Sequence, residues 1–179
     1  MMTETAPGAA RRLRGRLASG VTVWTAGHGR EACGLTVASV LVTEGEPPHV
    51  LGTVGDLSDL LDTVRAHGRF VVHVLDEADR HLAARFAGAV PTPGGALHGL
   101  TVADSAFGPV LTDVGTRACC RLVDEREVGY PILLDGVIDE LVLGDLTAPL
   151  TYFRGQFRRL TEPPRTWQAP GPDAALHLD

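Results

Sequence analysis

A chain of 179 residues, 44% apolar and 21% charged, suits one globular domain with a buried core and excludes a disordered or fibrous class. Its 16 arginines stand against 22 acidic residues, and the net charge of −6 argues against non-specific nucleic-acid binding. The sequence has neither lysine nor asparagine, which rules out a Schiff-base lysine, a phosphate-loop lysine and N-glycosylation.

In chain order, residues 1–9 read as a disordered leader without the apolar centre of a signal peptide. Arg11 to Leu17 form a short basic helix, weakened by Gly15 and ended by Gly20. Residues 21–25 alternate as a strand. Gly27-His28-Gly29 is a turn, and 34–42 return as a second strand of a hairpin. Pro47-Pro48 break the chain before a strand at 49–54. Asp56 or Ser58 caps a helix over 58–67 with an apolar stripe of Leu57, Leu60, Leu61 and Val64, and Gly68 stops it.

Residues 70–75 form a strand buried on both faces apart from His73. A helix over 77–87 aligns Ala78, Leu82 and Phe86, with acids at its start and Arg80 and Arg85 later. Residues 88–113 are loop-rich. Long strands at 116–126 and 132–143 flank the turn Gly129-Tyr130-Pro131, and short strands at 150–153 and 157–160 flank Arg154-Gly155-Gln156. The proline-rich tail from 161 to 179 reads as an extended arm or as disordered. The fold class is mostly β: a β-barrel with a few covering helices.

No apolar run approaches the ~18 residues of a membrane span, so a cytoplasmic location without membrane contact is expected. Cys33, Cys119 and Cys120 fit small core residues, and no spacing points to a metal site. There is no GxSxG, HExxH or GxGxxG motif. His73 has two roles open: a buried histidine with a hydrogen-bond partner, or a side chain aimed into a barrel pocket.

The ordered series Gly20-Val21-Thr22-Val23-Trp24-Thr25, Gly34-Leu35-Thr36-Val37-Ala38-Ser39, Pro47-Pro48, Phe70-Val71-Val72-His73-Val74-Leu75, Leu82-Ala83-Ala84-Arg85-Phe86-Ala87, Gly108-Pro109-Val110-Leu111 and Tyr152-Phe153-Arg154-Gly155 resembles the flavin reductase-like family. The resemblance covers about Leu13 to Leu160 and implies an FMN-binding split barrel. It implies a homodimer with FMN, or FAD, at the subunit interface. The implied activity is reduction of free flavin by NAD(P)H, in some members to supply a partner monooxygenase. Carried over, it sets Thr36, Val37, Ala38 and Ser39 along the flavin, Thr53 and Val54 near the ring, Ser58 in the phosphate turn, and Arg85 toward the phosphate or adenine side. His73 and Tyr130 are the candidate catalytic or ligand-facing residues.

The sequence departs from the family pattern in four places. Ala38 replaces a polar residue, and His73 stands where asparagine is common. Gly129-Tyr130-Pro131 occupies the Gly-Asp-His turn. Asp56, Asp59 and Asp62 surround the phosphate turn, where a carboxylate within ~4–6 Å repels a phosphate unless a cation intervenes. These departures define an alternative: a divergent split-barrel protein that binds or transforms another small molecule.

Overall fold

The computed structural model describes residues 8–160. Helix α1 (Ala9–Arg14) leads into β1 (Ser19–Gly20), β2 (Thr22–Ala26), β3 (Cys33–Val37), β4 (Val40–Thr43) and β5 (His49–Val54). Helix α2 (Asp59–His67) and β6 (Arg69–Val74) follow, then a 3-10 turn at Glu77–Asp79 and helix α3 (Arg80–Phe86). The chain continues through β7 (Val102–Ser105), β8 (Gly108–Leu111), β9 (Thr116–Glu127), β10 (Ile132–Val142), β11 (Leu150–Phe153) and β12 (Gln156–Arg159). The proline-rich tail and most of the leader lie outside the described residues.

Seven strands make one curled antiparallel sheet in the order β3-β2-β6-β9-β10-β5-β4. β3 and β4 are consecutive in the chain yet occupy opposite edges of that sheet, and only Ala38 and Ser39 join them. So short a link forces the sheet to roll up. The Thr53 amide donates to the Ser39 carbonyl at 3.1 Å, stitching the edges together. The expected single strand over 34–42 is therefore two strands with the barrel closure between them.

Large side chains fill the interior by facing positions without one. Trp24 and Phe70 stack at 4.8 Å. A Cβ at Gly52 would lie 2.5 Å from the Trp24 ring, and one at Gly136 would lie 2.5 Å from the Phe70 ring. Both glycines thus make room for an aromatic face. Leu60, Leu61 and Val64 of α2 cap this core. Ser58 is the N-cap, its Oγ accepting from the Leu61 amide, and Gly68 ends the helix in the left-handed region. Leu57, expected on the apolar stripe, precedes the cap and is 92% exposed. A second core joins Leu82 and Phe86 of α3 to Val21, Leu75, Leu111 and Leu150.

Several boundaries differ from expectation. The basic helix ends at Gly15, not Gly20. The second helix begins at Arg80, because Asp76 and Asp79 cap each other's backbone over the preceding turn, and Ala78 is left exposed. The loop-rich 88–113 region holds the β7–β8 hairpin, which Gly108 and Pro109 had concealed. His73 is as buried as its strand neighbours.

Candidate functional site

The barrel closure brings most of the expected contact residues to one rim. Val37 and Val54 point into the core at 3% and 2% exposure, so they offer a ligand only backbone and apolar backing. Ala38 and Thr53 are half-buried and Ser39 is exposed. The hydroxyls of Ser39 and Thr53 make no hydrogen bond among the described residues, which leaves two polar groups free beside apolar strand surface. Thr36 is less available, because its Oγ1 donates to the Ala83 carbonyl at 2.8 Å and ties β3 to α3.

The β9–β10 turn reaches the same rim. Ile132 pairs with Val54 in the ladder, so Tyr130 and Pro131 sit next to the 55–58 turn. Tyr130 is 97% exposed. It is close in the fold to the end of β5 and is held by no core contact.

His73 lies elsewhere. It is fully buried, with Nδ1 3.1 Å from the Val23 carbonyl, and its Nε2 accepts the Leu111 amide at 3.0 Å. The carbonyl can only accept and the amide can only donate, which fixes the neutral tautomer with its proton on Nδ1. Burial, and secondarily the Arg117 charge, lowers its pKa to about 4 against the Val23 hydrogen bond. Neither nitrogen remains for a ligand. The catalytic expectation for His73 conflicts with this placement: the ring bridges β2 and β8 through β6.

Arg85 is also committed. Its Nε donates to the Ala96 carbonyl at 2.6 Å, and Nη2 reaches the carbonyls of Gly95 and His98. It pins the 95–98 loop over α3.

The amino end of α2 carries the reverse of a phosphate's preferred environment. The Ser58 hydroxyl donates to the Gly55 carbonyl at 2.9 Å and accepts from Leu61, so both of its roles are used. Asp56, Asp59 and Asp62 are all exposed. Arg65 makes a two-pronged ion pair with Glu125 at 2.9–3.0 Å and lies 3.8 Å from Asp62. Beside the helix runs an open cleft of about 430 Å³, where Arg30 faces Glu31, Asp59 and Asp62, and where His67 is held by Glu31 at 3.0 Å. Arg30 was not singled out in the sequence, because a charged residue in a hairpin turn carries no local signal of what the fold sets across from it. The residues present thus fit a flavin's ring and do not fit its phosphate.

The three cysteines offer no activated thiolate. Burial pushes the Cys33 thiol up despite its contact with Thr63. Burial does the same to Cys119 and Cys120, and all three cysteines are unpaired. Among the described residues no helix is long and apolar enough to cross a membrane.

A curled antiparallel barrel with its edges stitched at Ser39 and Thr53, and a polar rim at that seam, is the architecture of a split-barrel protein. The flavin reductase-like domain family matches residues 14–161, and the chain belongs to that family. It is 33% identical over 148 residues to the reductase component of 4-hydroxyphenylacetate 3-monooxygenase from Thermus thermophilus, covering 83% of this chain and 93% of that one. It is also 33% identical over 156 residues to the NADH-dependent FMN reductase AsuE2 of Streptomyces nodosus subsp. asukaensis, covering 86% and 84%. Among solved structures, BorF, the flavin reductase component of a bacterial two-component tryptophan halogenase, superposes with a TM-score of 0.75 at 28% identity over 87% of this chain and 99% of that one. A flavin reductase in its native state reaches a TM-score of 0.79 at 23% identity over 88% and 100%, a likeness of fold.

Proposed function

We propose that the protein is an NAD(P)H-dependent flavin reductase, taking FMN or FAD as its flavin, and that it supplies reduced flavin to a monooxygenase partner. The observation that carries this reading is the seam. Ala38, Ser39 and Thr53 converge there with two unengaged hydroxyls beside apolar strand surface, in a chain whose family assignment covers nearly all described residues. Several relatives are named as reductase components or subunits of monooxygenases, which supports an oxygenase partner.

Bound flavin would supply one chemistry: it accepts a hydride from reduced nicotinamide and a proton from solvent, and the nicotinamide leaves oxidised. The protein's part is binding and orientation. Ser39 and Thr53 would hydrogen-bond the polar edge of the ring, with the β3 and β5 backbone at Val37 and Val54 beside it. Tyr130, at the hairpin tip beside the end of β5, would cover the ring and limit water. No side chain needs to move a proton, which agrees with the spent nitrogens of His73.

The working unit in this reading is a homodimer. Leu57 at 92%, Leu41 at 60% and Val42 at 61% exposure, with Tyr130, leave apolar surface near the rim for a second copy to cover. The experiment is steady-state oxidation of NADH and NADPH with each flavin, alongside light scattering for the mass in solution. Flavin-dependent oxidation by a dimer supports the reading. A monomer that leaves the nicotinamide unoxidised overturns it in favour of a divergent barrel with another ligand.

A further inference from the structure

The mismatch at the amino end of α2 has a consequence for which flavin the site prefers. We propose that this chain recognises the flavin by its ring and discriminates against the phosphate, so that riboflavin binds at least as tightly as FMN. The proposal rests on the flavin-reductase reading, which sets the ring at the seam, and on the family resemblance, which sets the ribityl phosphate at the turn holding Ser58.

A phosphate monoester carries about −1.5 to −2 charge at neutral pH. A helix amino end ordinarily attracts it through free amides and about half a positive charge. Here Ser58 caps that end, and Asp59 and Asp62 already occupy the first turn. Asp56 lies just before the cap.

The cations close by are spent or outnumbered. Arg65 is clamped by Glu125, and His67 is held by Glu31. Arg85 holds the carbonyls of the 95–98 loop. Arg30 looks across its cleft at Glu31, Asp59 and Asp62. Around this helix and the facing β9–β10 ladder, Glu31, Asp56, Asp59, Asp62, Glu125 and Glu127 stand against Arg30, Arg65 and Arg126, so a phosphate arriving there meets an excess of its own sign. Charges spaced within the roughly 10 Å screening length at 0.1 M salt act on it together.

The sign of the salt dependence separates this field from an attractive one. Repulsion is screened by salt, so FMN binding tightens as ionic strength rises, whereas uncharged riboflavin does not respond. A site built on a phosphate–cation contact does the opposite.

The test titrates riboflavin and FMN into the intact protein and reads quenching of flavin fluorescence, a binding signal independent of turnover. At low salt riboflavin is expected to bind as tightly as FMN or more so. Added salt is expected to tighten FMN alone. The combined variant Asp56→Asn, Asp59→Asn, Asp62→Asn should tighten FMN on the order of tenfold at low salt and flatten its salt dependence, with riboflavin unchanged. Asp56→Asn alone lies outside the helix and should shift FMN in the same direction by a smaller factor, which keeps the test intact if the combined variant folds poorly. FMN binding tenfold tighter than riboflavin, and weakening with salt, overturns the proposal while leaving the reductase reading standing. Failure to bind either flavin removes both.

Discussion

Substituting His73 by glutamine tests whether the buried imidazole is a neutral bridge. Glutamine can reach the Leu111 amide with a non-titrating acceptor but leaves the Val23 carbonyl without its donor. One orphaned buried group costs about 1–3 kcal/mol, so the variant should be less stable than wild type by that amount at pH 7.5.

The more telling quantity is the pH dependence. In the unfolded chain His73 titrates at its ordinary 6.5, and in the folded protein at about 4. Between those values the unfolded state takes up a proton that the folded state refuses, so stability falls as the pH drops. Each pH unit below 6.5 costs about 1.4 kcal/mol, or about 2 kcal/mol by pH 5, and the loss levels off near pH 4. Urea denaturation at fixed protein concentration should show wild type losing about 2 kcal/mol more than His73→Gln between pH 7.5 and 5. Contributions common to the two proteins cancel in the difference. Identical losses in the two would refute the neutral-bridge account.

Three further outcomes follow from packing and capping. Gly52→Ala forces a methyl to 2.5 Å from the Trp24 ring and should cost about 1–3 kcal/mol, read as a lower Tm with altered tryptophan fluorescence. Ser58→Ala removes the cap of α2 and should cost about 1 kcal/mol, a Tm drop of roughly 2–4 °C by calorimetry. Arg85→Ala releases the Gly95, Ala96 and His98 carbonyls, and limited proteolysis should then cut within 88–100 faster than in wild type while the barrel stays intact.

The strands at 49–54, 116–127 and 132–142 were legible because their β-branched residues and bounding turns act locally. So was α2, framed by Ser58 and Gly68. The break at Ala38-Ser39 was not, because it arises from barrel closure: a β-rich run looks continuous until the far edge of the sheet arrives beside it. The β7–β8 hairpin was hidden for a similar reason, its glycine and proline content reading as loop while Val110 and Leu111 are buried by β6 and α3. His73 showed the limit of side-chain alternation. Pattern could mark it as the odd residue of its strand but could not foresee that a carbonyl from β2 and an amide from β8 would engage both nitrogens. The acids at 56–62 were visible in sequence, and the structure adds that Arg65 and Arg85 are engaged elsewhere.

In the proposed function the seam holds a flavin ring for reduction by nicotinamide. Anaerobic mixing of the protein with NADH and, in turn, FMN and riboflavin tests it most directly, because without oxygen each reduced flavin persists and can be counted. The expected result is loss of the visible flavin band in step with NADH oxidation, one flavin per nicotinamide, far faster than without protein and slowed by Tyr130→Ala. Flavin that stays oxidised beside NADH at the protein-free rate would contradict it.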